Sequence, residues 1–172
     1  MSFHAFVELE SGELVSIKKT DGHVFGKQYT SIISQYQFYS VEIETDVNAI
    51  KWFKKLEELT DNQIKKISDA TYGGEWEYSM DDYEKYIRDW GEDEDVTEEK
   101  FKEMLTEINS KWTPVEELIV SVEKVVQALP SLYTEEFFWY SPDDALPGFQ
   151  GLLSTLRRLH EEGNKQVRIQ IL

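Results

Sequence analysis

The clearest helical pattern in this chain is TPVEELIVSVEKVVQALP, residues 113–130. Its apolar residues recur every three or four positions, as they do on one face of an α-helix. They are Val115, Leu118, Ile119, Val122, Val125, Val126 and Leu129. Thr113 can cap this helix, and Pro114 suits its first position because the missing N–H would have no helical partner there. The stretch therefore predicts a core helix that ends at Pro130.

Helical patterns also occur on both sides of this core helix. Asp46 can cap a helix that continues through Leu56, and Thr60 with Gln63 has the spacing of a capping box for a short helix ending near Asp69. Further helices are predicted from Met80 to Trp90, from Thr97 to Trp112, and from Phe149 to Leu159, after the turn-rich sequence SPDDALPG. Gly163 is expected to end the last of these helices in a left-handed conformation.

Strand patterns lie mainly near the two ends of the chain. Residues 2–9 alternate between apolar and polar, Ser11-Gly12-Glu13 predicts a hairpin turn, and residues 14–19 form the second strand. The aromatic and β-branched sequence QYQFYSVEIET, residues 35–45, predicts a third strand, and residues 167–172 predict a last one. We expect a single α+β domain, 1–172, in which an N-terminal antiparallel meander and the C-terminal strand form a sheet of about four strands covered by helices.

Composition excludes several classes of function. The 172 residues include no cysteine, so disulfides, thiolate nucleophiles and cysteine metal sites are absent. No apolar run approaches the roughly 20 residues of a membrane span, and the N-terminus lacks the pattern of a signal peptide. The formal net charge of −16 disfavours direct binding to nucleic acid, because neutralisation of phosphates by Lys and Arg supplies much of that affinity. We expect a cytoplasmic protein.

No motif in the sequence predicts catalysis or a cofactor. Phosphate-binding glycine loops and serine nucleophile elbows are absent, and the three histidines lack the spacing of a metal site. An EF-hand loop counted from Asp93 would need glycine at its sixth position and glutamate at its twelfth, where Glu98 and Met104 stand instead. We therefore expect a protein that binds a partner and is not an enzyme.

The negative charge is concentrated in one segment, EWEYSMDDYEKYIRDWGEDEDVTEE, residues 75–99. This acidic segment contains twelve carboxylates and two basic residues, whereas the other 147 residues together account for only about −6 of the net charge. A concentrated field of one sign with aromatic side chains inside it is typical of a surface that attracts a partner of opposite charge. A solvated helix face followed by a charged loop would show the same composition.

The acidic segment supplies both kinds of predicted contact residue. Trp76, Tyr78 and Tyr86 lie off the apolar stripe of the predicted helix and are candidate anchors for pockets on the partner. The carboxylates predicted to attract the partner are Asp81, Asp82, Asp89, Glu92, Asp93, Glu94 and Asp95.

In overall character, the chain resembles the bacterial immunity proteins that neutralise toxins of contact-dependent or polymorphic secretion systems. The resemblance rests on EWEYSMDDYEKYIRDWGEDED, residues 75–95, in a small, acidic, cysteine-free α+β chain. It implies tight binding to a cognate toxin domain, commonly a basic nuclease, whose active site or essential surface is occluded. Two other roles fit the same residues: an intracellular adaptor or assembly protein with a basic partner domain, and a DNA-mimicking inhibitor whose carboxylates replace phosphates.

Overall fold

A computed structural model of the chain describes residues 4–42, 47–73, 98–132 and 142–172. The described residues form an α+β fold, as the sequence predicts. The strands are β1 (Ala5–Leu9), β2 (Leu14–Ser16), β3 (Thr71–Gly73), β4 (Thr113–Pro114) and β5 (Gln166–Ile171). The helices are α1 (Lys27–Ser40), α2 (Val47–Thr60), α3 (Gln63–Asp69), α4 (Glu98–Asn109), α5 (Val115–Ala128) and α6 (Pro142–Glu161), and a 3₁₀ turn (Leu129–Leu132) follows α5.

The C-terminal strand lies inside the sheet. The strand order is β2-β1-β5-β3, and β4 pairs with the beginning of β5 on the same side as β3. β1 and β2 form the predicted antiparallel hairpin, in which Val7 lies opposite Val15. β5 is antiparallel to β1 and parallel to β3. The prediction that the last strand returns to the N-terminal sheet is confirmed.

The two faces of the sheet differ in composition. Ala5, Val7, Val167 and Ile169 are fully buried in the same core as the helices. Residues between them in sequence point to the opposite face, because side chains alternate along a strand. That outer face carries Glu8 and Arg168, among others, and these residues are only partly buried.

The predicted core helix is confirmed as α5. Its buried residues are Val115, Leu118, Ser121, Val122, Val125 and Ala128. α5 packs against α2, α3 and α6. A helix with neighbours on several sides buries more of its apolar stripe than one at the periphery of the fold.

α6 is packed unusually closely by the segment that follows β2. A Cβ on Gly151 would overlap the backbone carbonyl oxygen of Lys18, and one on Gly148 would overlap the ring of Phe25. Phe25 is fully buried, with its ring centroid 5.3 Å from that of Phe149. Glycine at these two helical positions therefore allows the segment to lie directly on the helix backbone.

The third strand predicted at residues 35–45 is wrong for residues 35–42, which form the second half of α1 and the start of the turn after it, whereas residues 43–45 lie outside the described residues. The buried residues of α1 are Tyr29, Ile32, Ile33 and Tyr36, which follow a helical spacing of three and four. Burial of this stripe overrides the strand preference of aromatic and β-branched residues. The meander is therefore limited to β1 and β2, and β5 takes the place beside β1.

Several predicted element ends also differ from the structure. The Thr60 hydroxyl donates to the Leu56 carbonyl oxygen at 2.7 Å, so it does not cap α3, whose N-cap is Asn62 at φ 61°. The second strand ends at Ser16, before the predicted residue 19. Tyr72 and Gly73, which follow α3 and which no strand pattern identifies, belong to β3 and pair in parallel with β5.

Two of the corrected ends involve proline. Thr113-Pro114 forms β4, and Pro114 is itself the N-cap of α5 and not its first residue. α6 already begins at Pro142 and contains Pro147, so the predicted turn-rich connection is helical. The predicted left-handed stop after α6 is confirmed, since Gly163 has φ 91°.

Candidate partner-binding site

The predicted contact residues all fall between 74 and 97, outside the residues that the structure describes. They are Trp76, Tyr78, Asp81, Asp82, Tyr86, Asp89, Glu92, Asp93, Glu94 and Asp95. The predicted helix from Met80 to Trp90 also lies there. What the structure does describe is the two elements between which this sequence runs, β3 before it and α4 after it.

β3 and α4 are both attached to one side chain, Arg168 of β5. The guanidinium carbon of Arg168 lies 4.8 Å from the ring centroid of Tyr72 in β3. Arg168 Nη1 also donates to the Ile108 carbonyl oxygen near the end of α4, at 3.1 Å. The sequence between Gly73 and Glu98 therefore leaves from and returns to elements that share a single anchor.

The positive charge of Arg168 is compensated by one carboxylate and by two aromatic rings. Its Nε donates to Glu8, and its guanidinium carbon lies 4.3 Å from the Trp112 ring centroid. The side chains of Arg168 and Glu8 are only 13% and 14% exposed, so this pair is more strongly coupled than an exposed ion pair. The arrangement fixes the positions of β1, β3, β5 and α4 on the outer face of the sheet.

The Tyr72 hydroxyl completes this Arg168 cluster. It donates to Glu8 Oε2 at 2.9 Å. Burial raises the pKa of Tyr72 well above its ordinary value, and the hydrogen bond to the Glu8 carboxylate raises it further. Tyr72 therefore remains a neutral hydrogen-bond donor over the physiological pH range, while its ring contacts the Arg168 guanidinium.

A groove of about 460 Å³ adjoins the Arg168 cluster. We call it the C-terminal groove, because the last turns of α1, α3 and α4 form its walls together with β3. Its lining residues are Gln37, Ser40, Val41, Ser68, Asp69, Thr71, Tyr72, Gly73, Glu107, Ile108 and Lys111. Its volume lies within the range of about 300–1,000 Å³ that is usual for ligand sites.

Apolar side chains are exposed beside this groove. Val41, which follows α1 and lines the groove, is 65% exposed, and Phe38 in the last turn of α1 is 50% exposed. Exposed apolar residues next to polar ones are common where proteins bind partners. This end of α1 therefore adds apolar contact area to a groove that is otherwise polar.

The histidines are not brought together. His160 Nε2 lies 3.5 Å from Glu116 Oε1 at a second cavity of about 450 Å³, whereas His4 stacks loosely near Phe6 on β1. Within the described ranges, no group of three His, Asp or Glu side chains is arranged to hold a metal ion. In the same ranges, no helix has both the length and the apolarity that crossing a membrane requires.

The residues of the C-terminal groove and of the Arg168 cluster were not identified from the sequence. They come from stretches that are far apart in the chain, so no local motif connects them. A partial signal was present for Asp69 alone, because it is an acid at the end of a predicted helix, where cations are normally preferred, whereas Glu107 lies inside the helix predicted to reach Trp112. Comparisons of the chain with protein-family models, with curated proteins and with solved structures find no match.

Proposed function

We propose that this protein is a non-catalytic inhibitor of the immunity type, which acts in the cytoplasm and binds a basic toxin domain through residues 75–99. The observation that carries the proposal is the concentration of twelve carboxylates against two basic residues in this acidic segment. A field of this kind accelerates association with a cationic protein and disfavours partners of like charge. Occlusion of the toxin's nucleic-acid-binding surface then requires no chemistry from the inhibitor.

The described residues that flank the acidic segment support this role. Tyr72, just before the acidic segment, and Ile108, at the far end of the helix that follows it, both contact Arg168. Fixing the elements that flank a binding segment reduces the conformational entropy that is lost on binding. Glu98 and Glu99, the last two residues of the acidic segment, are exposed in the first turn of α4.

The two kinds of contact residue have separate kinetic roles. Asp81, Asp82, Asp89 and residues 92–95 steer the partner and set the association rate. Trp76, Tyr78 and Tyr86 fill pockets on the partner and set the dissociation rate, as buried aromatic anchors commonly do.

The experiment begins with affinity capture from the native host and continues with binding kinetics on the recovered domain. The test variant combines Asp81→Asn, Asp82→Asn and Asp89→Asn. The matched control combines Glu58→Gln, Asp61→Asn and Glu161→Gln, which remove the same charge from exposed positions elsewhere. We expect the test variant to associate about tenfold more slowly at low salt and to lose much of its salt dependence, with little change in dissociation.

Three results would contradict this proposal. An unchanged salt dependence in the test variant would show that the acidic segment does not steer association. Equal losses in the test and control variants would show that only the net charge matters. Recovery of nothing but subunits of a common cellular complex would indicate an adaptor.

A further inference from the structure

The C-terminal groove is lined by residues from the last turns of three helices, α1, α3 and α4. The C-terminal end of a helix carries about half a negative charge, which a basic side chain in the last turn normally compensates. Neither α1 nor α4 has a basic residue in its last turn, and Lys66 in the last turn of α3 pairs with Glu117 of α5 at 3.9 Å. The groove is thus formed where the helix dipoles favour a cation.

Acidic side chains strengthen this preference. Asp69 is the last residue of α3 and Glu107 lies in the last turn of α4, and both line the groove. A carboxylate at a helix C-terminus is unfavourable for the helix itself, and the exposed pair of Lys65 with Asp69, at 3.7 Å, offsets this only weakly. Residues that break a local rule of stability are often placed for function, because binding a ligand of opposite charge relieves the conflict.

The other lining residues suit a planar cationic group at the end of an aliphatic side chain. The hydroxyl of Ser40 donates to the Gln37 carbonyl oxygen at 2.8 Å, which leaves the hydroxyl oxygen able to accept. Tyr72 provides an aromatic ring, and Val41 and Ile108 provide apolar surface. The same tyrosine already stacks with a guanidinium in this protein, that of Arg168.

We infer that the C-terminal groove binds an arginine side chain of the basic partner. The identity of the partner as a basic protein rests on the proposed function, whereas the preference of the groove for a guanidinium follows from its own walls. Arginine fits better than lysine because its planar fork bonds to separate carboxylates and stacks on aromatic rings. Lys111, also in the lining, repels this cation and limits its affinity.

The first test uses L-argininamide as the probe and follows backbone amide signals by NMR. We expect saturable shifts at Gln37, Ser40, Gly73 and Glu107, and weaker shifts with L-lysinamide at the same ionic strength. The double variant Asp69→Asn, Glu107→Gln should weaken argininamide binding about fivefold. Lys111→Gln should strengthen it, an opposite change that damage to the fold would not produce.

The matched control is the double variant Glu58→Gln, Asp61→Asn. It removes two exposed carboxylates from the end of another helix, α2, that does not line the groove. We expect its argininamide affinity to equal that of the unchanged protein. An equal loss in control and test variants would overturn the inference, as would shifts that do not saturate or that centre on the acidic segment. A groove already filled by other residues of the chain would show no saturable shift, which also overturns it.

A second test separates this inference from the proposed function. Asp69→Asn, Glu107→Gln is measured against the basic domain recovered by affinity capture, with dissociation as the readout. We expect dissociation about fivefold faster, whereas a change no greater than that of the control would show that the groove does not bind the partner's arginine. If argininamide binds the groove but the variant Asp81→Asn, Asp82→Asn, Asp89→Asn keeps its salt dependence, the proposed function fails and the guanidinium site stands.

Discussion

The helices α4 and α5 share two features of sequence but have very different surroundings. Both are amphipathic, both begin with two glutamates in the first turn, and only the two-residue strand β4 and a short turn separate them. α5 buries six residues, whereas none of the α4 side chains that the structure describes is fully buried. A periodic apolar stripe thus indicates which face of a helix turns inward, but the number of neighbours decides how much that face contributes to stability.

The difference follows from the side of the sheet on which each helix packs. α5 lies among α2, α3 and α6 in the helical core. α4 is attached to the outer face, where Ile108 meets Arg168 and the contacts are polar and aromatic. The core side therefore provides most of the stability, and the outer side provides a surface on which binding residues can be arranged.

The direct test of this difference is one leucine-to-alanine change in each helix. Leu118 in α5 is fully buried, so Leu118→Ala should lower the free energy of unfolding by about 3–4 kcal/mol through lost burial and the remaining cavity. Leu105 in α4 is only partly buried, so Leu105→Ala should cost about 1 kcal/mol. Urea unfolding of both variants measures the two values, and equal losses would refute the division into two sides.

The close packing of α6 is tested by Gly151→Ala. In an exposed helix, this change would stabilise by about 1 kcal/mol. Here the added methyl group meets the Lys18 carbonyl oxygen, so we expect a loss of about 2–3 kcal/mol as the segment after β2 is displaced. Ser154→Ala, at an exposed position of the same helix, is the control and should change little. A stabilised Gly151→Ala protein would show that the contact is not tight.

The outer face is tested by comparing two arginines. Arg168→Met leaves the Glu8 carboxylate partly buried without its cation and should cost about 2 kcal/mol. Arg157 pairs with Glu123 at 2.6 Å, but both side chains are exposed, so Arg157→Met should cost no more than about 0.5 kcal/mol. Thermal unfolding distinguishes the two. Equal losses would mean that the Arg168 cluster does not hold the outer face together.

A last effect is absent at neutral pH and is expected only as a loss of stability at alkaline pH. Burial raises the pKa of Tyr29 above its usual value near 10, an effect that the bond with the Thr71 hydroxyl, at 2.7 Å, only partly offsets. Below pH 10 the folded and unfolded chains both keep this proton, so stability is unaffected. Above pH 10 the unfolded chain ionises first, and this tyrosine alone should lower the free energy of unfolding by about 1.4 kcal/mol per pH unit.

The control for this pH dependence is Tyr29→Phe. This variant has no hydroxyl to ionise at position 29, so the decline caused by Tyr29 above pH 10 is absent. The missing hydrogen bond to Thr71 lowers its free energy of unfolding by a constant amount. Urea unfolding between pH 9 and 12 should therefore show a shallower decline in the variant. An unchanged slope would mean that Tyr29 ionises as readily in the folded protein as in the unfolded chain.

The two parts of the candidate site, the acidic segment and the C-terminal groove, differ in how far the sequence predicts them. The acidic segment was evident because its charge is local in sequence, and its ten predicted contact residues remain predictions, since they lie outside the described residues. The C-terminal groove could not be predicted, because Gln37, Asp69 and Glu107 become neighbours only through packing. Asp69 is recognisable as an unfavourable acid at the end of a predicted helix, but Glu107 lies inside the helix predicted to reach Trp112, and nothing in the sequence indicates that the two face the same space.

The sequence by itself determined the elements whose periodicity is strong: the β1–β2 hairpin, the stripes of α2, α5 and α6, and the last strand. Each of these patterns lies within one stretch of sequence, and it repeats over enough residues to distinguish the period of a helix from that of a strand. Only the tertiary structure decided that residues 35–40 are helical, because the buried face of α1 begins earlier, at Tyr29. It also decided the parallel pairing of β3 with β5 and the Arg168 cluster, since both depend on contacts between residues far apart in the chain.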